Sequence, residues 1–202
     1  IIENEAFTAT NVILATGSRP FVPPFKGIES ANYHTTDTFF GIQELPKQLT
    51  IIGGGVIAIE MAFALAPMGT QVTVLNHSKD ILQTEEPDAR PIIKDKMKAL
   101  GIELITEFTF EEIHAQYIQT SIGNFPFENL LFATGRRPNT QIAEALEMDM
   151  DGRLIKVNNH YETSIPGIFA AGDLRTKKLR QVITAAADGA NAVTSVQDFL
   201  KI

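Results

Sequence analysis

A glycine-rich connection between an apolar strand and an apolar helical stretch is the feature that most constrains this sequence. Residues 49–52 form an apolar run of the kind that predicts a buried strand, and residues 56–66 contain few helix breakers. Gly53-Gly54-Gly55 joins them directly, so that the segment has the form G-x-G-x-x-A. A strand, a tight glycine turn and a helix in immediate succession predict the first unit of a doubly wound α/β domain.

The positions of this loop suit a dinucleotide. Gly53 permits a tight turn, Gly55 lets the backbone approach a pyrophosphate, and Ala58 stands where helix and strand pack closely. The free N–H groups and the dipole at the start of a helix favour anions. We therefore expect a dinucleotide here, the alternative being a tight turn without a ligand. The expected contacts are Gly53, Gly54, Gly55, Val56, Ile57 and Ala58.

The remaining pattern alternates strands and helices. Residues 72–75 predict a second buried strand, and residues 88–100 have helical spacing and end at Gly101. Short strands are predicted over residues 12–15, 108–114, 117–120, 125–127, 130–133 and 168–171, followed by a last helix over residues 180–200. This order predicts an α/β fold, with a Rossmann-like doubly wound domain and an appended β element.

The residues after the second strand bear on the choice of nucleotide. An acidic residue there would bind the adenosine ribose 2′-OH and repel a 2′-phosphate. The sequence has Asn76-His77-Ser78-Lys79, without an acid before Asp80. Asn76, His77 and Lys79 therefore predict NADPH rather than NADH, although no Arg stands here for bidentate phosphate recognition. The alternative is a solvated loop whose Lys79 points at water.

Composition excludes several other classes of protein. The net charge is −7, which argues against nucleic acid or an anionic membrane as the main partner. No apolar run approaches the roughly 20 residues of a membrane span. The chain has no Cys, which removes disulfides, thiolate zinc sites and redox thiols and is compatible with a reducing cytoplasm. Its four His are scattered, so no metal site is expected.

Three further motifs surround the glycine loop. A-T-G-S-R-P at residues 15–20 recurs as A-T-G-R-R-P at residues 133–138, and P-G-I-F-A-A-G-D follows at residues 166–173. Together with the loop, these motifs resemble the pyridine nucleotide-disulfide oxidoreductases, the flavoprotein family of glutathione, thioredoxin and mercuric reductases. The resemblance implies hydride transfer from NADPH to FAD and onward to a disulfide or another acceptor. A homodimer is also expected, because strand edges left unpaired in the flanking segments favour self-association.

The resemblance also implies a domain organisation and further site residues. Residues 46–136 would form the NAD(P)H-binding domain, inserted between FAD-domain segments at residues 1–45 and 137–202. Glu60 would lie near the nicotinamide and flavin, the alternative being an ordinary surface Glu. Thr134, Gly135 and Arg136 would add to the NADPH site, with a plain surface position as the alternative for Arg136. The implied FAD contacts are Thr16, Gly17, Gly172, Asp173, Arg180, Gln181 and Val182.

The departures from the family pattern leave the acceptor open. The family's first FAD element, a strand with its own G-x-G-x-x-G loop, does not occur in these residues, and neither does a Cys pair. We therefore expect a fragment that does not turn over alone. Residues 33–37 and 44–47 resemble the glutathione and mercuric reductases, whereas residues 179–186 resemble thioredoxin reductase. A flavin oxidase, a ferredoxin- or quinone-type reductase, and a nucleotide-binding module without turnover remain alternatives.

Overall fold

The computed structural model describes residues 8–200 and divides the chain into two compact units. One unit comprises the residues up to Arg19 together with those from Arg137 onward, and the other runs from Pro20 to Arg136. The helices are α1 (Val56–Leu65), α2 (Ala89–Ala99), α3 (Gln141–Ala145) and α4 (Val182–Leu200). The strands are β1 (Val12–Leu14), β2 (Ser18–Pro20), β3 (His34–Thr35), β4 (Gln48–Ile52), β5 (Gln71–Asn76), β6 (Glu103–Thr106), β7 (Phe110–Ile113), β8 (Tyr117–Thr120), β9 (Gly123–Pro126), β10 (Leu130–Phe132), β11 (Arg136–Pro138), β12 (Met150–Asp151), β13 (Leu154–Ile155) and β14 (Ile168–Ala170).

The unit over residues 20–136 is built on a parallel sheet. Its strand order is β3-β10-β4-β5-β6, and Ile51 of β4 is in register with Leu131 of β10 and Val74 of β5. Both faces of the sheet are covered, which is why the central strands are continuous apolar runs. The prediction of an α/β fold with a Rossmann-like sheet is confirmed. β6 was not expected from the sequence.

Two apolar clusters hold the parallel sheet. The first contains α1, whose Ala58 and Ala62 are fully buried, and includes Met97 of α2. The second lies around Ile52, Leu75 and Phe132 and extends to the antiparallel sheet β7-β8-β9. Burial of side chains of this size contributes about 1.5–3 kcal/mol each. The carboxyl ends of β4, β5 and β10 are thereby fixed relative to one another.

The flanking unit is smaller. β1 pairs in parallel with β14, from Val12 opposite Ile168 to Leu14 opposite Ala170, and β12 and β13 form a short hairpin. α4 is 19 residues long but buries only Asp188 and Ala192. Leu14, Ala143 and Leu174 belong to the core of this unit. β2 and β11 form a separate two-stranded sheet.

The first unit boundary differs from the expected one. The expected flanking segment was residues 1–45, but the division falls after Arg19. Residues 20–45 contribute β3 to the parallel sheet, and Phe39 is 3% exposed within the α1 cluster. Phe25 and Ile28 pack against the second cluster. This Pro-rich segment therefore belongs to the unit over residues 20–136, because its apolar side chains are buried in the core of that unit.

Across residues 8–200, none of the helices combines the length and apolar character needed to cross a bilayer.

Candidate functional site

Gly53 is required by the geometry at the end of β4. Its φ is +131°, a conformation that L side chains rarely adopt. A Cβ placed there would overlap the carbonyl oxygen of Ala133. The Gly53 N–H donates to the carbonyl of Leu75 at 2.9 Å, and the Ala133 N–H donates to Ile52 at 2.9 Å. The turn is therefore packed tightly between β5 and β10.

Gly54 and Gly55 have different surroundings. A Cβ at Gly54 would come within 2.5 Å of Cγ of Asn76, so this glycine makes room for a buried side chain. At Gly55, a Cβ would meet nothing within 4 Å, and the backbone is extended with φ −82° and ψ −179°. No side chain caps α1, which begins at the next residue. Gly55 therefore stands at an open, uncapped helix start, which is suited to an anion.

A cleft of about 670 Å³ lies in front of this loop. One side is formed by the glycines and by Ile52, Leu75 and Ala133 at the strand ends. The other side is largely aromatic. The Phe25 and Phe110 ring centroids are 4.7 Å apart, and those of Phe108 and Phe110 are 4.8 Å apart. The remaining lining residues are Phe21, Pro23, Asn76, His77, Thr109, Thr134 and Gly135.

Asn76 is oriented differently from the expectation that it would contact phosphate. It is 6% exposed, and its Nδ2 donates to the carbonyls of Ser78 at 3.3 Å and Asp80 at 2.9 Å. Its amide nitrogen thus holds the turn that follows β5. The Leu82 N–H donates to the carbonyl of Gly54 at 2.7 Å and ties the same segment to the glycine loop. Asn76 therefore shapes the loop, while His77 and Lys79 are exposed.

A second groove of about 750 Å³ lies beyond this turn. Lys79 lines it together with Gln83, Thr106 and Glu107, and α2 contributes Arg90 and Lys94. Lys94 forms an ion pair with Asp80 at 2.9 Å. The hydrogen bond from Lys94 lowers the pKa of Asp80 below its usual value, assisted by the Ile81 N–H. Three cations and two carboxylates therefore share this groove.

Two residues of the second A-T-G segment, Thr134 and Arg136, bond to other residues of the same unit. The Thr134 hydroxyl donates to the carbonyl of Phe21, and Gly135 has a φ of +98°. Arg136 forms an ion pair with Asp37 at 2.7 Å and also donates to the Thr36 hydroxyl at 3.0 Å. Thr134 and Gly135 line the cleft, whereas Arg136 does not.

Of the expected helix residues, Val56, Ile57 and Ala58 form the first turn of α1 and do not line the cleft with their side chains. Ala58 is fully buried, as its predicted packing position requires. Glu60 is exposed and lies outside the cleft lining.

In the flanking unit, a buried carboxylate organises the G-D turn after β14. Asp188 of α4 accepts the Gly172 N–H at 3.0 Å and Nε of Arg175 at 2.9 Å. Lys177 donates to the same carboxylate at 3.0 Å, and the Arg175 guanidinium lies 4.7 Å from the centre of the Tyr161 ring. Burial would raise the pKa of Asp188, but the Arg175 and Lys177 hydrogen bonds outweigh it and hold that pKa below its usual value.

Asp173 has an unused acceptor. Its Oδ1 is buried and has no hydrogen-bond partner among the described residues, and Nζ of Lys177 is 3.7 Å away. Gly172 beside it has a φ of +87°. Arg180, Gln181 and Val182 are exposed at the start of α4. A buried carboxylate oxygen without a donor is suited to a hydroxyl-bearing ligand.

The first A-T-G segment is internally bonded. The Thr16 hydroxyl donates to the carbonyl of Asn139 at 2.7 Å, and Nδ2 of Asn139 donates back to the carbonyl of Thr16 at 2.7 Å. Gly17 has a φ of +61°, and its carbonyl accepts the Asn139 N–H. These contacts fix the segment where the chain leaves the unit. Thr16 therefore has a structural use whether or not it contacts a ligand.

Several residues at these sites were not expected from the sequence. Arg90 reaches the groove because α2 packs beside β6, and no local motif marks it. The F-T-F segment at residues 108–110 contributes to the aromatic side of the cleft. Its alternating pattern predicted a strand but gave no sign of this position. The sequence did contain a signal for Asp188. It is an isolated acid among small residues, and it lies four positions before Ala192, on the same face of the helix, which is buried. Within the described range, no three His, Asp or Glu side chains are grouped as a metal site requires.

Comparison with known proteins identifies the family. The family model for pyridine nucleotide-disulphide oxidoreductases matches residues 2–189. The chain therefore belongs to this family, and the resemblance inferred from its motifs is confirmed.

The relatives include dihydrolipoyl dehydrogenase of Acholeplasma laidlawii, 30% identical over 210 residues that cover 100% of this chain and 61% of that protein. Mercuric reductase of Staphylococcus aureus is 29% identical over 185 residues, covering 86% of this chain and 34% of the reductase. The Cu(II) complex of the HOCl-induced flavoprotein disulfide reductase RclA from Escherichia coli has a TM-score of 0.82. It is 26% identical, and the match covers 94% of this chain and 45% of RclA. The chain thus spans less than two thirds of the length of each, from 34% of the mercuric reductase to 61% of the dihydrolipoyl dehydrogenase.

Proposed function

We propose that this chain carries the nucleotide-handling part of an NAD(P)H-dependent flavoprotein reductase, which passes hydride from NADPH to FAD and on to a disulfide or another acceptor. The observation that carries the proposal is the open helix start at Gly55, facing a cleft at the carboxyl ends of β4, β5 and β10. Ligands of doubly wound sheets bind at such strand ends, where the strand order reverses. Here it reverses between β4 and β10.

The residues around the cleft suit the parts of a dinucleotide. The pyrophosphate would be bound by the N–H groups of Gly55, Val56 and Ile57, since no side chain competes for them at the start of α1. Gly53 and Gly54 would hold the loop close to the strands. The aromatic side of the cleft would cover an apolar ring face of the ligand. Glu60, Thr134, Gly135 and Arg136 are proposed as further contacts on the family pattern.

The preference for NADPH is part of the proposal. Asn76 leaves the end of β5 without a carboxylate that would bind a ribose 2′-OH and repel a 2′-phosphate. Its own amide nitrogen is used by the turn, so its contribution is to shape the loop rather than to contact phosphate. His77 and Lys79 are the exposed polar residues of that loop and the proposed contacts within it.

The flanking unit suits a flavin. Oδ1 of Asp173 is buried without a donor and would accept a hydrogen bond from a ribityl hydroxyl. The exposed start of α4 at Arg180, Gln181 and Val182 would face the flavin pyrimidine edge, where a helix dipole favours negative charge. Thr16, Gly17 and Gly172 complete the proposed contacts. When bound, the flavin supplies the two-electron chemistry, and the chain supplies binding and orientation.

The Gly55→Val substitution tests the central assignment. Its Cβ would meet no protein atom within 4 Å and the backbone angle is ordinary, so the fold should be preserved. The side chain would then stand where the pyrophosphate must lie, and NADPH affinity measured by calorimetry should fall by about 100-fold or more, the loss of charge-assisted hydrogen bonds.

Gly41→Val is the matched control. Gly41 also has open space at its Cβ, without a positive φ, and lies outside the cleft. It should bind NADPH as the unsubstituted chain does. Equal affinities for the Gly55 and Gly41 variants, with both folded by circular dichroism, would show that the loop is not the dinucleotide site.

A further inference from the structure

We propose that Asp188 is a positioning residue for the flavin, which keeps the Lys177 ammonium away from Asp173 so that Oδ1 of Asp173 stays open to a ribityl hydroxyl. This inference rests on the proposed function and adds a residue on which flavin binding depends without touching the flavin. It concerns the flanking unit alone, to which all of these residues belong.

The Lys177 ammonium lies among oxygen atoms of Asp188, Thr184 and Asp173, and its side chain is 8% exposed. Nζ donates to Oδ2 of Asp188 at 3.0 Å and to the Thr184 hydroxyl at 3.3 Å. Oδ1 of Asp173 is 3.7 Å from Nζ, which is beyond hydrogen-bond distance. A shift of roughly 0.5–1 Å would bring Nζ to the usual length of a hydrogen bond with Asp173. Lys177 is therefore a donor held just short of the open acceptor.

Asp188 is the group that draws Lys177 away from Asp173. Its side chain is 6% exposed, and Oδ2 accepts the Gly172 N–H at 3.0 Å and Nε of Arg175 at 2.9 Å in addition to Lys177. Burial raises the pKa of Asp188, but the hydrogen bonds from Arg175 and Lys177 outweigh it and hold that pKa below its usual value. The carboxylate is therefore charged at neutral pH, and it attracts the ammonium at 3.0 Å against the 3.7 Å that separates Nζ from Asp173.

Removal of the Asp188 charge should close the acceptor on Asp173. A buried ammonium is stable only near a compensating carboxylate, and Asp173, four residues before Lys177, is the other carboxylate paired with it. Lys177 would then donate to Oδ1 of Asp173. A ribityl hydroxyl would have to displace this charge-assisted hydrogen bond, which is stronger than the bond that a neutral hydroxyl donates. Flavin binding should therefore weaken although Asp173 itself is unchanged.

The test compares riboflavin with lumiflavin, which has the same ring system but no ribityl hydroxyls, by fluorescence titration of the full chain. Asp188→Asn should lower riboflavin affinity by about tenfold, as the loss of a hydrogen bond to a charged acceptor does. Lumiflavin affinity should change by less than about twofold, because lumiflavin donates no such bond. Damage to the fold would weaken the binding of both compounds.

Two double variants separate the position of Lys177 from the balance of charge. Asp188→Asn with Lys177→Met removes the competing donor and should restore riboflavin affinity to within about twofold of the unsubstituted chain, because the two sites are coupled. Asp188→Asn with Arg175→Met removes the same amount of charge but leaves Lys177 in place. Its riboflavin affinity should stay low, with both double variants shown to be folded by circular dichroism.

The outcomes distinguish this inference from the proposed function. If Asp188→Asn leaves riboflavin affinity unchanged, or weakens riboflavin and lumiflavin equally, Asp188 does not act through Lys177 and the proposed function stands. The same holds if the Lys177→Met double variant fails to recover, or if the Arg175→Met double variant recovers equally. If the unsubstituted chain binds riboflavin no more tightly than lumiflavin, Asp173 is not a ribityl contact, and the proposed flavin site fails together with this inference.

Discussion

The glycine loop after β4 and the G-D turn after β14 are both glycine turns at the end of a parallel strand, yet they are built differently. The glycine loop is held by backbone bonds and close packing, and it leaves the start of α1 without a side-chain cap. The G-D turn is held by charged side chains around Asp188, and it leaves one carboxylate oxygen of Asp173 without a donor.

The difference follows from the chemistry each turn can serve. A turn that keeps N–H donors free suits an anion such as a pyrophosphate, and any nearby carboxylate would oppose it. A turn that keeps an acceptor free suits a hydroxyl, but a buried carboxylate is stable only near compensating cations. Arg175 and Lys177 supply that charge at Asp188. The first turn therefore depends on backbone space and the second on a balance of charges.

The largest effect should come from Asp188→Ala. The substitution leaves the Arg175 and Lys177 charges, which are 15% and 8% exposed, without their carboxylate. Breaking a buried ion pair on one side costs about 3–5 kcal/mol. Urea unfolding followed by circular dichroism should show this loss in the flanking unit. Asp198→Ala, on the exposed side of the same helix, should leave unfolding nearly unchanged. Indistinguishable midpoints for the two variants would mean that the charge balance is not what holds this turn.

A smaller effect is expected at the glycine loop, where Gly53→Ala and Gly55→Ala form a matched pair. At Gly53 the added methyl would overlap the Ala133 carbonyl and the backbone has a φ of +131°, so unfolding free energy should fall by at least about 1–3 kcal/mol. At Gly55 the methyl meets open space, and stability should change by less than about 1 kcal/mol. If thermal unfolding showed equal losses of stability for the two variants, the space around each Cβ would not be what determines how the loop tolerates a side chain.

Sequence patterns predicted what is local in this fold. The glycine loop, the strands on either side and the amphipathic α2 follow from short-range spacing, and these elements are present at nearly the expected bounds. Residues 20–45 were expected to belong to the flanking segment over residues 1–45. Phe25 and Phe39 nonetheless pack into two separate cores. Their apolar side chains were the signal, but which core receives them depends on the completed sheet.

The composition of the two sites was less predictable, because it depends on side chains brought together by tertiary packing. Arg90 reaches the groove only after α2 has docked beside β6. Asn76 has the expected position in sequence, but its amide is turned inward to the carbonyls of the following turn. Local reasoning assigns a polar residue to the ligand by default. In the structure, the side-chain amide nitrogen of Asn76 instead forms hydrogen bonds within the loop.

The smallest predicted effect is a pH dependence that separates the two turns. The pKa of Asp188 is lowered in the folded protein, since hydrogen bonds from Arg175 and Lys177 outweigh the cost of burial. The stability it contributes is therefore complete above the unfolded-state value of about 3.9 and is lost as the pH falls from there through the folded-state pKa. Acid titration followed by circular dichroism should show that Asp188→Asn flattens this decline, because the amide does not titrate. Substitution at Gly55, which lies in a turn held by uncharged backbone groups, should leave the decline unchanged. A parallel acid profile in the Asp188→Asn variant and the unsubstituted chain would place the titrating group elsewhere and remove the electrostatic contrast between the turns.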